Sequence, residues 1–176
     1  MDDQSDVEML GRTELFRGAP VELLREIQRA AFRKRFAAGE TVLRQGDATA
    51  TVYIVVIGRL RATQTTLDGQ QVIIRYLGPG EVAGYAALAG GETYPGSLIA
   101  VDDCHLVGWS AAIIQDIMTR HSSIAMNAVR LLGARYLDMQ VRLRELSTEK
   151  VERRLAHTIR RLAQQAGGRT ARGIEI

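Results

Sequence analysis

Residues 123–147 read Ser-Ile-Ala-Met-Asn-Ala-Val-Arg-Leu-Leu-Gly-Ala-Arg-Tyr-Leu-Asp-Met-Gln-Val-Arg-Leu-Arg-Glu-Leu-Ser, and the other elements of the chain are arranged around this stretch. It contains no Pro, and Gly133 is its only weak helix former, so it predicts a single helix about 37 Å long. Apolar side chains recur along it with a period of about 3.5 residues, the spacing of a coiled-coil seam. The seam consists of Val129, Leu132, Tyr136, Met139, Leu143 and Leu146.

A second, less regular apolar set lies beside the seam and consists of Met126, Leu131, Leu137 and Val141. A helix with two apolar faces can serve two surfaces at once. We expect the seam to face a second copy of the chain and the other set to face the helix's own domain. The alternative is a long core helix that packs within one chain.

Composition is that of an ordinary globular protein, with 176 residues, 46% hydrophobic and 24% charged. This length fits one domain, or one domain and part of another. No apolar run approaches the roughly 18 residues of a membrane span, and the acidic first six residues have the wrong charge for a secretory leader. The single Cys104 fits a reducing compartment. We therefore expect a cytoplasmic protein without a membrane partner.

Charge is unevenly distributed along the chain. Residues 1–110 carry 11 basic and 14 acidic side chains, a net charge of −3, whereas residues 111–176 carry 12 basic and 6 acidic, a net charge of +6. A basic C-terminal third is compatible with a nucleic-acid partner. The alternative is a solvated helix face that is rich in Arg.

Short segments rich in Val, Ile, Thr and Tyr fill residues 32–109, and Gly-containing turns separate them. Asp68-Gly69 predicts a type I′ hairpin between strands 60–66 and 72–77. Residues 53–57 are all apolar, so this strand should be buried on both faces. Before the strands we expect a loose polar leader over residues 1–12 and a helix from Pro20 to about Ala30.

Three further helices are predicted after the strands. Ser110 should cap a short helix that ends at Met118, and Ser122 or Ser123 should cap the long helix. Ser147 or Thr148 should cap a last helix, and residues 173–176 form a candidate final strand. The apolar face of the last helix consists of Val151, Leu155, Ile159 and Leu162.

This order of elements resembles the Crp/Fnr family of bacterial transcription regulators. The phrases that carry the resemblance are Leu15-Phe16, residues 36–47 (Phe-Ala-Ala-Gly-Glu-Thr-Val-Leu-Arg-Gln-Gly-Asp), residues 53–60 (Tyr-Ile-Val-Val-Ile-Gly-Arg-Leu), Asp68-Gly69 and residues 77–84 (Leu-Gly-Pro-Gly-Glu-Val-Ala-Gly). The resemblance implies an α+β fold: an antiparallel, jelly-roll-like β-roll of the cyclic-nucleotide-binding type, with flanking helices and a long C-terminal dimerisation helix.

The resemblance also implies a division of the chain into three parts. Residues 1–110 would form the N-terminal helix and the sensor roll, and residues 111–147 the short helix and the dimerisation helix. Residues 148–176 would form the hinge and the first helix and strand of a truncated winged helix-turn-helix domain. Such a chain is not an enzyme; it senses a small effector, forms a homodimer and binds DNA through the missing domain.

In cyclic-nucleotide binders of this type, the loop after Gly84 cradles a phosphate with the help of a Glu and an Arg-Ser pair. Here the Glu position is Tyr85, and the Arg-Ser positions fall on Pro95 and Gly96. A phosphate buried without a cation is costly. We therefore expect an apolar effector. Cyclic AMP or cyclic GMP remains the alternative. The pocket is expected to comprise Gly84, Tyr85, Ala86, Leu88, Tyr94, Pro95, Gly96, Ser97, Arg135, Met139 and Gln140.

Residues 93–97 resemble the branch of the family that responds to nitric oxide, which makes haem a candidate cofactor. Haem needs an axial ligand, and the candidates are His105, His121 and His157, with Met126, Met139 or Cys104 as further options. For each His, a surface or structural role is the preferred interpretation. Two other classes remain as alternatives: a cupin-like metalloenzyme and a stand-alone nucleotide-binding module.

Overall fold

The computed structural model describes residues 3–148, 151–166, 168–170 and 173–175. In chain order, the elements are α1 (Asp3–Arg12), α2 (Val21–Arg29), β1 (Phe32–Phe36), β2 (Thr41–Leu43), β3 (Thr51–Ile57), β4 (Leu60–Thr65), β5 (Gln71–Leu77), β6 (Val82–Ala83), a 3-10 turn (Tyr85–Ala87), β7 (Ser97–Ala100), β8 (Cys104–Ser110), α3 (Ala111–Arg120), α4 (Ser122–Thr148), α5 (Val151–Ala166), β9 (Gly168–Thr170) and β10 (Gly173–Glu175). No helix of this described part is long and apolar enough to cross a membrane.

The strands form the predicted antiparallel β-roll. One sheet has the order β1-β8-β3-β6 and the other β2-β7-β4-β5. Residues of both sheets, among them Val55, Leu106, Leu60 and Leu98, share one buried cluster in the roll interior. A small pair, β9 and β10, follows α5 and agrees with the predicted final strand. The α+β fold class is confirmed.

A second core lies between the first sheet and the helices. Val52 and Ile54 point toward the helices, whereas Tyr53 and Val55 point into the roll, so the middle of β3 is buried on both faces as predicted. The prediction was wrong for its last residue, Ile57, which is 48% exposed. Trp109 is fully buried in the helical core, and its indole Nε1 donates to the carbonyl of Ile27 at 2.7 Å. Strand β3 is therefore the layer that separates the two cores.

The N-terminal segment is helical, and the prediction of a loose leader over residues 1–12 was wrong. Val7 and Leu10, three residues apart, bury their side chains among α2 and the first sheet. Asp6 is also buried and forms an ion pair with Arg33 of β1. Tertiary packing of a few apolar residues stabilises this short helix. The polar composition of the segment gives no sign of that packing in the sequence.

The hairpin between β4 and β5 has the predicted pairing but a different turn. Gly69 has φ +83°, whereas no other residue type in the described chain has positive φ, so Asp68 does not adopt the type I′ conformation. The amide of Gly69 donates to the carbonyl of Thr66 at 3.0 Å, and the amide of Thr66 donates to Gln70 at 2.8 Å. The loop is thus a longer turn with one left-handed Gly.

Helix α3 begins as predicted, because the hydroxyl of Ser110 accepts from the amide of Ile113. It continues to Arg120, beyond the predicted end at Met118. The carbonyl of His121 then accepts the first hydrogen bonds of α4, so Ser122 and Ser123 lie inside the helix and do not cap it.

The long helix is confirmed and is one residue longer at each end than the stretch 123–147. Ser147 and Thr148 form its last turn, where their hydroxyls donate to the carbonyls four residues earlier. The predicted hinge near residues 147–151 is described only in part: Ser147 and Thr148 belong to α4, Val151 begins α5, and residues 149–150 lie outside the described residues. In α5, the predicted apolar positions Leu155 and Ile159 are exposed rather than packed.

The faces of α4 differ in part from the prediction. Ile124, Ala128 and Leu131 are buried against the helical core, so the first half of the helix packs within the chain. The described seam side chains are exposed except Leu132, which is half-buried; the side chain of Leu146 lies outside the described residues. The exposed seam members are Val129 at 59%, Tyr136 at 55%, Met139 at 61% and Leu143 at 64%.

The second apolar set does not face the domain. Only Leu131 is buried; Met126, Leu137 and Val141 are exposed. Beyond Leu132 the inward contacts of α4 with the roll are polar. Arg135 forms an ion pair with Glu81, and Arg142 donates to the backbone carbonyl of Ile74.

Candidate effector site

A cavity of about 80 Å³ lies between the β4–β5 hairpin and the segment that runs from Gly84 to Leu98. Seven of the predicted pocket residues line it, namely Gly84, Tyr85, Ala86, Tyr94, Pro95, Gly96 and Ser97. The other lining residues are Leu43, Ala62, Thr63, Gln64, Ile74, Arg75, Leu77 and Leu98. The structure thus brings most of the predicted set together, and effector binding by these residues stays a prediction.

Four predicted pocket residues do not line this cavity. Leu88 is buried in the helical core, and Arg135 forms ion pairs beside the roll. Met139 is exposed on the seam, and Gln140 donates to the hydroxyl of Tyr136 at 2.7 Å. Met139 and Gln140 lie on the exposed side of α4, because Leu131 and Arg135 set its inward face.

The loop that follows β6 is fixed by close backbone contacts. Gly84 has φ +80°, and a Cβ there would lie 2.6 Å from the carbonyl oxygen of Thr51. The hydroxyl of Tyr94 accepts from the amides of Ala50 and Thr51 and donates to the Thr51 carbonyl, at 2.8–3.1 Å. The Tyr94 ring is therefore anchored on β3 while its face lines the cavity.

Positions 95 and 96 offer no side chain for an anion. A Cβ at Gly96 would lie 2.6 Å from the carbonyl oxygen of Thr63, so the backbone runs directly against β4. The side-chain amide of Gln64 stabilises this contact by donating to the backbone carbonyl of Pro95 at 2.9 Å. The hydroxyl of Ser97 accepts from the backbone amide of Gln45 at 3.0 Å. No cationic group is contributed by this stretch.

Two polar side chains of the hairpin give the cavity its chemistry. Thr63 is 1% exposed, and its hydroxyl has no hydrogen-bond partner among the described residues. Arg75 is 9% exposed, and its guanidinium forms an ion pair with Glu81. A buried hydroxyl without a partner is costly, so a ligand that bonds Thr63 would recover that cost.

Glu81 also contacts the long helix. Its Oε1 accepts from Nη2 of Arg135 at 3.3 Å, and its Oε2 accepts from the amide of Gly78 at 2.8 Å. Arg135 reaches Glu14 at 3.5 Å. The cavity wall and α4 therefore share one carboxylate.

The second half of α4 is attached by further polar contacts. Arg142 donates to the carbonyl of Ile74, a cavity residue, and burial lowers the pKa of its guanidinium. Glu145 is buried and accepts from Arg161 of α5, and this hydrogen bond lowers the pKa of Glu145. Helix α5 packs beside β5, and β5 also supplies lining residues of the cavity.

The candidate haem ligands lie away from the cavity. His105 is on β8, His121 joins α3 to α4, and His157 is on α5. Met126 and Met139 are exposed on α4, and Cys104 is fully buried in the roll, where burial raises the pKa of its thiol. None of these candidate ligands lines the cavity, and haem stays a prediction. Within the described residues, no three His, Cys, Asp or Glu side chains lie close enough together to hold a metal ion.

The hairpin residues of the site were missed from the sequence because the β4–β5 pairing is irregular. Ala62 pairs with Arg75 but Thr63 pairs with Ile73, so Ile74 is an extra residue in β5, and both Ile74 and Arg75 line the cavity. Strict alternation would place them on opposite faces. Arg75 is opposite Ala62 in the ladder, and its spacing alone does not reveal which face it occupies.

The family model for the cyclic nucleotide-binding domain matches residues 33–121, a segment that contains the whole cavity lining. Over 156 residues the chain is 30% identical to the cyclic AMP receptor protein of Thermus thermophilus, which covers 88% of this chain and 71% of that protein. The chain belongs to the cyclic nucleotide-binding domain family, as a member of the Crp/Fnr type.

Solved structures agree with this membership of the Crp/Fnr type. The catabolite activator protein of Thermus thermophilus superposes with a TM-score of 0.70 at 28% identity, over 88% of this chain and 72% of that one. The sensor domain of the transcriptional regulator DNR from Pseudomonas aeruginosa has a TM-score of 0.69 at 18% identity, over 79% of this chain and 93% of that one, which shows the fold alone.

One similar enzyme is a lysophospholipase of Aspergillus oryzae, 27% identical over 103 residues. The match covers 58% of this Crp/Fnr-type chain but only 7% of the lysophospholipase. The similarity therefore concerns one small segment of a much longer protein and does not carry its activity to this chain. The chain is a regulatory domain of the cyclic-nucleotide-binding type.

Proposed function

We propose that this chain is the effector-sensing and dimerising part of a DNA-binding transcription regulator, and that its effector is a small, neutral, mostly apolar molecule. One observation carries the proposal. Of the described lining residues, the only charged one is Arg75, and Glu81 already neutralises it. The unpartnered hydroxyl of Thr63 supports a ligand with one hydrogen-bonding group.

The shape of the cavity is compatible with a small ligand. It encloses about 80 Å³ and is partly open to solvent, so a compact molecule can enter it and extend outward.

The long helix supports the regulatory part of the proposal. Its exposed seam would bind a second copy of the chain, and a two-fold dimer suits a palindromic DNA site. An effector would shift the population between arrangements of α4 and the elements after it. Because a regulator works where the chromosome is, we place the protein in the cytoplasm.

Cyclic AMP binding is the second candidate. The 30% identity to a cyclic AMP receptor protein, over a segment that includes the cavity, favours it. The exchange of the expected anion-binding side chains for Pro95 and Gly96 disfavours it.

Thermal unfolding with three added ligands separates the candidates. We expect benzamide, a small neutral probe with an aromatic ring, to raise Tm, and cyclic AMP and cyclic GMP to leave it unchanged. The variant Thr63→Val keeps the shape of the side chain and removes its hydroxyl, so it should reduce the benzamide effect. A rise in Tm with cyclic AMP that disappears in Arg75→Gln would instead establish the second candidate.

A further inference from the structure

Glu81 lies in the turn before β6, where three donors from different parts of the fold meet one carboxylate. Arg75 reaches it from the cavity wall, Arg135 from α4 and the amide of Gly78 from its own turn. The Arg75 side chain is 9% exposed and that of Glu81 30%. The pair is therefore largely shielded from solvent, where electrostatic interactions are stronger than at the surface.

We propose that Glu81 sets the charge selectivity of the effector site. This inference rests on the proposed function. Glu81 acts as an internal counter-anion: it occupies the guanidinium of Arg75, so the cavity admits neutral molecules and rejects anions. An anionic ligand would have to take Arg75 away from Glu81 and leave a partly buried carboxylate with one cation fewer, which is costly.

The remaining contacts of Glu81 cannot compensate for that loss. Arg135 lies 3.3 Å from Oε1 and divides its charge among Glu81, Glu14 at 3.5 Å and Asp138 at 4.0 Å. Gly78 supplies one neutral hydrogen bond. Removal of the negative charge from Glu81 would leave Arg75 beside the cavity without its counter-ion, and the site would then favour an anion.

Two probes of matched shape test this selectivity: benzoate, which is an anion, and benzamide, which is neutral. In Glu81→Gln the amide oxygen can still accept from Gly78, so the turn is preserved. By calorimetric titration we expect the affinity for benzoate to rise about tenfold or more in Glu81→Gln, the value of one hydrogen bond to a charged group. The affinity for benzamide should change little.

Two control variants identify the cation. The double variant Arg75→Gln/Glu81→Gln should lose the gain in benzoate affinity. Glu14→Gln removes another carboxylate beside Arg135, which also lies 4.0 Å from Asp138, and does not touch Arg75, so it should bind benzoate as weakly as the unmodified protein. Circular dichroism of each variant checks that the fold is retained.

The inference is overturned if folded Glu81→Gln binds benzoate no better than the unmodified protein, if the double variant keeps the gain, or if Glu14→Gln produces it. Failure of the proposed function has a different signature. In that case the unmodified protein would not bind benzamide, or would bind cyclic AMP through Arg75, whatever the effect of Glu81→Gln on benzoate.

Discussion

Leu143→Glu is expected to prevent the dimerisation that we propose for the seam of α4. Leu143 is 64% exposed within one chain, and its seam neighbours Tyr136 and Met139 are exposed to a similar extent. The substitution therefore removes almost no packing inside the chain. The substitution should therefore weaken the association of the seam with the surface that covers it.

The magnitude follows from the exposed area. Full burial of a Leu side chain contributes about 1.5–3 kcal/mol, so burial of the remaining two-thirds of Leu143 contributes about 1–2 kcal/mol. Two-fold symmetry counts the residue twice, which gives about 2–4 kcal/mol per dimer, and two facing carboxylates add repulsion. The dissociation constant should rise about 30-fold to 1,000-fold.

Sedimentation equilibrium over a range of micromolar concentrations measures this change. Leu137→Glu is the matched control, because Leu137 is 61% exposed on the same helix and lies about 120° around its axis from Leu143. We expect Leu137→Glu to remain dimeric. A dimeric Leu143→Glu, or a monomeric Leu137→Glu beside it, would show that another face of α4 forms the interface.

Three further predictions concern the chain itself. Gly69→Ala should lower the free energy of unfolding by about 1–2 kcal/mol, because Ala is strained in the left-handed conformation. Gly84→Ala should lower it more, since its Cβ would also lie 2.6 Å from a backbone carbonyl oxygen of β3. Urea unfolding midpoints of the two variants measure this difference. Burial raises the pKa of Cys104, so iodoacetamide should react slowly with the native protein at pH 8 and quickly in denaturant; rapid native labelling would contradict the buried position. The hydrogen bond from Arg161 holds the pKa of Glu145 below its ordinary value of 4.5, so the pair stabilises the fold above that pH and loses its contribution as pH falls through the lowered pKa. The destabilisation by Arg161→Gln should therefore be full at pH 7 and vanish in acid, as unfolding free energies across pH will show.

The fold was largely predictable because its signals are local. Gly-marked turns and short apolar strands identified the roll, and an uninterrupted run of helix formers identified α4. The helix α1 was missed because its stability comes from contacts of Val7 and Leu10 with distant elements. The turn at Asp68-Gly69 was wrong because dipeptide chemistry does not determine loop length, and the structure needs only one left-handed residue there.

The site was predictable where it depends on one continuous loop and not where it depends on two elements meeting. Residues 84–86 and 94–97 line the cavity as expected. Met139 and Gln140 do not, because the rotation of α4 about its axis is set by the core residues of its first half. Arg75 and Thr63 were missed because the sequence does not show the register shift between β4 and β5, where Ile74 is an extra residue.

The polar inward face of α4 beyond Leu131 has a consequence for local stability. Apolar packing holds the first half of the helix, whereas Arg135, Arg142 and Glu145 hold the second half through ion pairs and hydrogen bonds that water can replace. Detachment of this half exposes little hydrophobic surface, so its opening free energy should be well below that of global unfolding. Amide hydrogen exchange should accordingly divide one continuous helix into a slow segment before Leu131 and a faster segment after it. The long helix would then behave as two cooperative units, with the boundary near Leu131.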